Sequence, residues 1–184
     1  HYEPMRHSPE VHRLMEPLPR GSGLQFAADC PADKLDLNWQ RLILTHLTEK
    51  SHKGVLTGSP ITDMKLTLIA GRAHQKHTEG GDFREATYRA VRQGLRSAES
   101  ILLEPQCRFT LTVPAEQLGR ALNDLQQREA VTEPPDMVAE TALLRGTAAL
   151  SALRDYPAEV LRYTRGRGHL TWEPDGYAPC RHPE

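Results

Sequence analysis

The stretch ITDMKLTLIAGRAHQKHTEGGDFREATYRAVRQGLRSAE, residues 61–99, contains the change of periodicity that decides the fold. Its first ten residues, 61–70, read as a strand, and the second half is apolar enough to be buried on both faces. From Asp82 to Glu99 the period becomes helical, with Phe83, Ala86, Ala90, Val91, Leu95 and Ala98 on one stripe. Glu85 lies four residues before Arg89, a supporting pair, and the opposite face carries Arg84, Arg92 and Arg96. Thr78 and Asp82 are both candidate N-caps. Between strand and helix lies AGRAHQKHTEGG, a polar loop with two histidines and two bases. A buried strand feeding an amphipathic helix through such a loop belongs to an α+β domain.

Outward from this stretch, Glu10–Leu18 and Gly23–Cys30 are short, partly alternating segments joined by PRGSG, and we expect them to pair as a hairpin. Leu35, Trp39, Leu42, Ile43 and Leu47 recur at helical spacing between Leu35 and Lys50, with Asp36 in the first turn. Gly54–Pro60 is a loop. Beyond Pro105 a second unit begins. Cys107–Val113 alternates cleanly, and Leu118, Ala121, Leu122 and Leu125 give a short amphipathic helix. AVTEPPDMV is a strand interrupted by Pro134 and Pro135, hence at an edge, and ETALLRGTAAL follows as another. DYPAEVLRYT starts a helix with Pro157 in its first turn, and GHLTWEPDGY closes the chain as a strand and turn. The order β-α-β-β-α-β predicts a ferredoxin-like sandwich. The expected division is 1–105 and 106–184.

The 184 residues are 38% hydrophobic and only 5% aromatic, so the cores must be built from aliphatic side chains. A net charge of −1 excludes a uniformly basic nucleic-acid coat, and any polyanion must be met by local patches. Three scattered cysteines, Cys30, Cys107 and Cys180, form neither a disulfide framework nor a zinc motif, which suits a reducing, cytoplasmic compartment. No apolar run is long enough to span a membrane, and no signal peptide is expected. The chain begins at a histidine, and we expect it to be part of a longer protein.

The motifs of enzymes are missing: GxxxxGK[ST], GxSxG, HExxH and GxGxxG do not occur. His74 and His77 have an i, i+3 spacing, yet the next histidine is His169, and Arg72 and Lys76 would repel a dication. No metal site, no catalytic group and no cofactor is expected in this chain. Arg72 to Arg96 holds six Lys/Arg against three Asp/Glu, and Arg162 to His169 holds three arginines, a histidine and no acid. These are basic islands that can reach phosphates, or solvated faces without a partner. TRGRG, Thr164–Gly168, follows a helix, where the dipole disfavours phosphate, so it reads as a glycine-rich helix exit whose arginines still face outward.

GVLTGSPITDMKLTL, AGRAHQKHTEGGDFREA, LLEP, EQLGRALNDL and YTRGRGHLTWEPDGY together resemble the fourth and fifth domains of elongation factor G. PLPRGSGLQF, with EPMRHSPEV where elongation factor G has a glycine-rich segment, is most similar to the ribosomal protection proteins of the tetracycline-resistance type. The resemblance implies a domain of the ribosomal protein S5 domain 2 type, with a left-handed crossover, followed by a ferredoxin-like domain. It implies a parent translational GTPase whose GTP and Mg site lies upstream, and a cytoplasmic monomer that touches no membrane. The implied partner is the ribosome, at the 16S rRNA decoding region and the large-subunit stalk base. His74 falls where the family places a decoding-centre histidine. Arg72, His74, Gln75, Lys76 and His77 are the implied rRNA contacts, with Arg6 and His7 beside them, and Arg162, Arg165 and Arg167 are the contacts of the second domain. Within the family the parent either protects ribosomes or, as an elongation factor G variant, drives translocation. A binding module with no ribosomal role is the alternative from another class.

Overall fold

The computed structural model describes residues 9–73 and 80–183. The chain divides into two compact units, His1–Ile101 and Leu102–Glu184, each with its own core.

In the first unit the elements are β1 (Glu10–Pro17), β2 (Leu24–Ala28), α1 (Leu37–Thr48), β3 (Met64–Arg72) and α2 (Gly80–Ser97). The sheet order is β1-β3-β2, with β1 antiparallel and β2 parallel to β3. This corrects the hairpin: β1 and β2 both form, but β3 lies between them. The reason is in β3 itself, where Leu66, Thr67 and Leu68 are all buried. A strand covered on both faces belongs in the middle of a sheet, whereas β1 alternates exposed and half-buried positions as an edge does. The connection from β2 through α1 to β3 is therefore a crossover between parallel strands.

The core of this unit is Leu35, Ile43, Leu47, Leu66, Leu68, Phe83, Val91 and Leu95, contributed by the sheet and the apolar stripes of both helices. Trp39 tilts against Phe83 at 4.8 Å between ring centroids. Asp36 is not in the first turn of α1 but caps it, its Oδ1 accepting from the Asn38 N–H at 2.8 Å. Of the two expected caps of α2, Asp82 lies inside the first turn, and Thr78 lies outside the described residues.

In the second unit β4 (Leu103–Pro114), a 3-10 turn, α3 (Leu118–Gln127), β5 (Val131–Thr132), β6 (Asp136–Val138), β7 (Thr141–Ala149), α4 (Leu150–Leu153), α5 (Tyr156–Tyr163) and β8 (His169–Pro179) follow one another. The order β5-β7-β4-β8, antiparallel throughout, is the ferredoxin-like sheet. Pro134 and Pro135 split the edge into β5 and β6, both paired to β7. Pro105 does not join the two units. It lies within β4, opposite Tyr177 on β8, and the division falls at Ile101/Leu102. The register shifts just after it, which lets an edge-compatible residue sit in a long strand. Phe109, Leu111 and Val113 of β4 are fully buried against Ala121 and Leu125 of α3 and Tyr156 and Val160 of α5.

Candidate functional site

The first candidate surface is the end of the β1–β3–β2 sheet where β3 leads to α2. Glu10, the first residue of β1, is the partner of Arg72, the last of β3. The chain therefore leaves the sheet toward residue 9 and toward residue 73 from neighbouring positions. A bulge sets the orientation here: His12 faces Ala70 and Arg13 faces Leu68, so Ile69 is the extra residue. One extra residue reverses the alternation. Gly71 now faces inward, where a Cβ would come within 2.7 Å of the Leu35 side chain, and Arg72 faces outward and is exposed. Arg72 makes no ion pair among the described residues, and Glu10 lies 3.7 Å from exposed His12. Of the other expected contacts, His74, Gln75, Lys76, His77, Arg6 and His7 lie outside the described residues.

Behind this end, α2 divides its arginines into two kinds. Arg84 binds Glu49 at 3.1 Å and Arg89 binds Glu85 at 2.5 Å. Arg92 and Arg96 are exposed with no ion-pair partner among the described residues. Glu49 also accepts from the Tyr88 hydroxyl and His46, and the Tyr88 hydrogen bond is the first reason its carboxyl lies below the ordinary value of 4.5.

The second surface is the outer face of α4 and α5. Asp155 and Glu159 turn toward α3: Arg128 binds Asp155 at 2.9 Å and Glu159 at 2.8 Å, and Arg120 reaches Glu159 at 3.4 Å. Arg128 and Arg120 also lie 4.4 Å from the ring centroids of Tyr156 and Tyr163. Around these paired acids Arg154, Leu161, Arg162 and Arg165 are all exposed. The three arginines have no ion pair among the described residues. Arg167, also exposed, is paired with Glu116 at 2.7 Å. The TRGRG segment is a helix exit: the Gly166 N–H donates to the Leu161 carbonyl at 2.8 Å, and Arg165 and Gly166 both have positive φ. Gly168 is needed for close approach, since a Cβ there would lie 2.9 Å from the Thr112 carbonyl oxygen. Arg154, exposed and without an ion pair among the described residues, is an arginine that sequence inspection passes over.

The buried titratable groups have structural roles. Burial pushes the Tyr156 and Tyr163 hydroxyls and the Cys107 thiol up, holding all three protonated. Among the described residues no group of three His, Cys, Asp or Glu side chains could hold a metal ion.

Residues 7–99 match the family model for elongation factor G, domain IV, and residues 101–183 match the one for the elongation factor G C-terminus. The chain belongs to the elongation factor G family. Its first unit is the domain IV of that family and its second the C-terminal domain. The chain is 29% identical over 163 residues to tetracycline resistance protein TetP of Clostridium perfringens, covering 89% of this chain and 25% of that protein. It is 31% identical over 158 residues to elongation factor G 2 of Streptomyces coelicolor, covering 86% of this chain and 23% of the relative. A crystal structure of a protein from Thermus thermophilus superposes with a TM-score of 0.81 at 25% identity, over 93% of this chain and 26% of that one. The chain thus spans about a quarter of the length of the relatives it matches. In these terms Arg72 stands at the end of the domain IV sheet, and Arg154, Arg162 and Arg165 belong to the C-terminal domain.

Proposed function

We propose that these two domains are the ribosome-binding part of a translational GTPase, with the β3–α2 loop of domain IV directed at rRNA of the decoding region. Arg72, His74, Gln75, Lys76 and His77 make that contact, with Arg6 and His7 from the stretch that leaves β1 at the same end. Lys76 and Arg72 hold the phosphate backbone, and the imidazoles stack on or edge against bases. Arg154, Arg162 and Arg165 of the C-terminal domain meet a second stretch of RNA, near the stalk base of the large subunit. The GTP and Mg chemistry belongs to an upstream domain of the parent, which acts in the cytoplasm. The observation that carries this reading is membership of both units, in the family's order, in elongation factor G. The Glu10–Arg72 register supports grouping the two loops.

The test is sedimentation of the full-length protein with 70S ribosomes across a salt series. Lys76→Ala is expected to weaken binding and to reduce the slope of log affinity against log salt by roughly one. An unchanged affinity and slope would remove the loop from the contact. Failure of the unaltered protein to sediment with ribosomes at low salt would favour a module with no ribosomal role. Similarity to both TetP and elongation factor G 2 leaves two outcomes for the parent. Rescue of translation from tetracycline identifies protection, and tRNA–mRNA movement in a purified system identifies translocation.

A further inference from the structure

We infer that domain IV carries a second phosphate site, at the opposite end of the domain from the β3–α2 loop, and that it takes one phosphodiester group of RNA. The inference rests on the proposal that this domain works against ribosomal RNA. The site is a hollow of about 110 Å³ where the turn after α1 meets the later half of α2. Its floor is His52, Val91 and Leu95, all buried. Its rim is Lys50, Lys53 and Arg92, all exposed, and no carboxylate lines it.

Three features mark it as a place for an anion. The nearest acid in sequence, Glu49, is already engaged by Arg84, Tyr88 and His46. Lys53 and Arg92 have no ion-pair partner among the described residues, and Lys50, 4.3 Å from the Tyr88 ring centroid, lines the same hollow. His52 is buried with its Nε2–H donating to the Leu47 carbonyl at 2.8 Å, and its charged form is disfavoured first by burial and then by Arg13 and Lys50, so the floor adds no negative charge.

The competing explanation is that these cations only neutralise the C-terminal ends of α1 and α2. Each end carries roughly half a negative charge, and the effect fades within a turn. Two halves do not balance three full cations, and Arg92 stands five residues before the end of α2 at Ser97. Size then selects the ligand. At about 110 Å³ the hollow has room for one phosphate group. It is well short of the roughly 300 Å³ at which pockets begin to enclose a nucleotide-sized molecule.

Inorganic phosphate and an RNA phosphodiester present the same chemistry, so the test has an arm for each. The 184-residue chain, labelled with nitrogen-15, is titrated with a short single-stranded oligouridylate and, separately, with inorganic phosphate at constant ionic strength. The expected result is a saturating shift of the Ser51, Lys53 and Arg92 amide signals with RNA. In the Lys53→Ala/Arg92→Ala variant those shifts are lost and affinity falls about tenfold, while signals beside the β3–α2 loop still respond. RNA shifts elsewhere with none at the hollow overturn the inference, as do shifts that persist unchanged in the variant. Phosphate shifts at the hollow without RNA shifts there make it a free-anion site and overturn the RNA assignment. If RNA moves no signal anywhere in the chain, the rRNA reading of domain IV is what fails. The phosphate arm then still decides whether the hollow binds an anion at all.

Discussion

Arg13 is a cation taken into a small aliphatic core. It points inward from β1 between two half-buried neighbours, Val11 and Met15, and its guanidinium donates to the Thr87 carbonyl of α2. Burial lowers its pKa to about 10. It also acts on His52, whose proton affinity is lowered first by burial and then by the charges of Arg13 and Lys50. The consequence for stability has a definite sign. Above pH 6.5, the ordinary histidine value, His52 is neutral in both the folded and unfolded chain. As pH falls through 6.5 the unfolded imidazole takes up a proton first, so stability drops until the lower folded pKa is passed. Glu49, whose ordinary value is 4.5, adds a separate loss that begins only below that pH. The thermal midpoint of domain IV is therefore expected to fall between about pH 7 and about pH 5.5, and His52→Gln to flatten that fall. In Arg13→Met the His52 midpoint, followed by NMR, is expected to rise while staying below 6.5, because burial remains. A second prediction concerns Gly146 on β7. A Cβ there would collide with the Val131 carbonyl oxygen and stand 3.0 Å from the Phe109 ring and from the Thr132 Cα. Two of these three neighbours are backbone and cannot step aside. Gly146→Ala is expected to destabilise the C-terminal domain by about 1–3 kcal/mol, read from denaturant midpoints.

Helix α1 shows how single residues fix an element. Asp36 caps its first turn, Gln40 ties its underside by donating to the Cys30 and Leu35 carbonyls at 2.9 and 2.8 Å, and His52 folds back to the Leu47 carbonyl at its end. Asp36→Ala is expected to cost about 1 kcal/mol in equilibrium unfolding, and Asp36→Ser to recover most of it, since a hydroxyl also accepts from the N2 amide. The helical stripes, the Pro-split edge and the order of the second domain were legible in the sequence, whereas the Asp36 cap and the Gln40 and His52 ties were not. Nor was the pairing in the first domain. PRGSG between two alternating segments has the form of a hairpin, and nothing within residues 10–30 reveals that β3 will enter between them. The decisive signal is more than thirty residues later, in the unbroken apolar run of β3, and it speaks of burial rather than of partners. The join was set at Pro105 for a similar reason: proline reads as a breaker, and only the register shift after it and the start of β7 pairing at Gln106 show why it is tolerated in β4. At the candidate surfaces, TRGRG was legible as a helix exit. That Arg167 is tied to Glu116 depends on a contact 51 residues away in sequence.

The two domains have separate cores, one of aliphatic side chains around Phe83 and Trp39, the other around Phe109 and Tyr156. No core residue of either cluster comes from the other domain. Domains of about 60 residues already fold alone in many cases, and the units here are larger than that, at residues 1–101 and 102–184. Cutting the chain between Ile101 and Leu102 leaves every strand pair and helix of both domains whole. Each piece is therefore expected to give a dispersed nitrogen-15 spectrum with a cooperative unfolding transition of its own. The uncut chain is then not a two-state system, and a single midpoint would misrepresent it. Gly146→Ala supplies the internal control, since it should lower the transition of the second piece by the same amount as that of the second domain in the uncut chain. A collapsed spectrum from either piece would mean that its fold depends on the other.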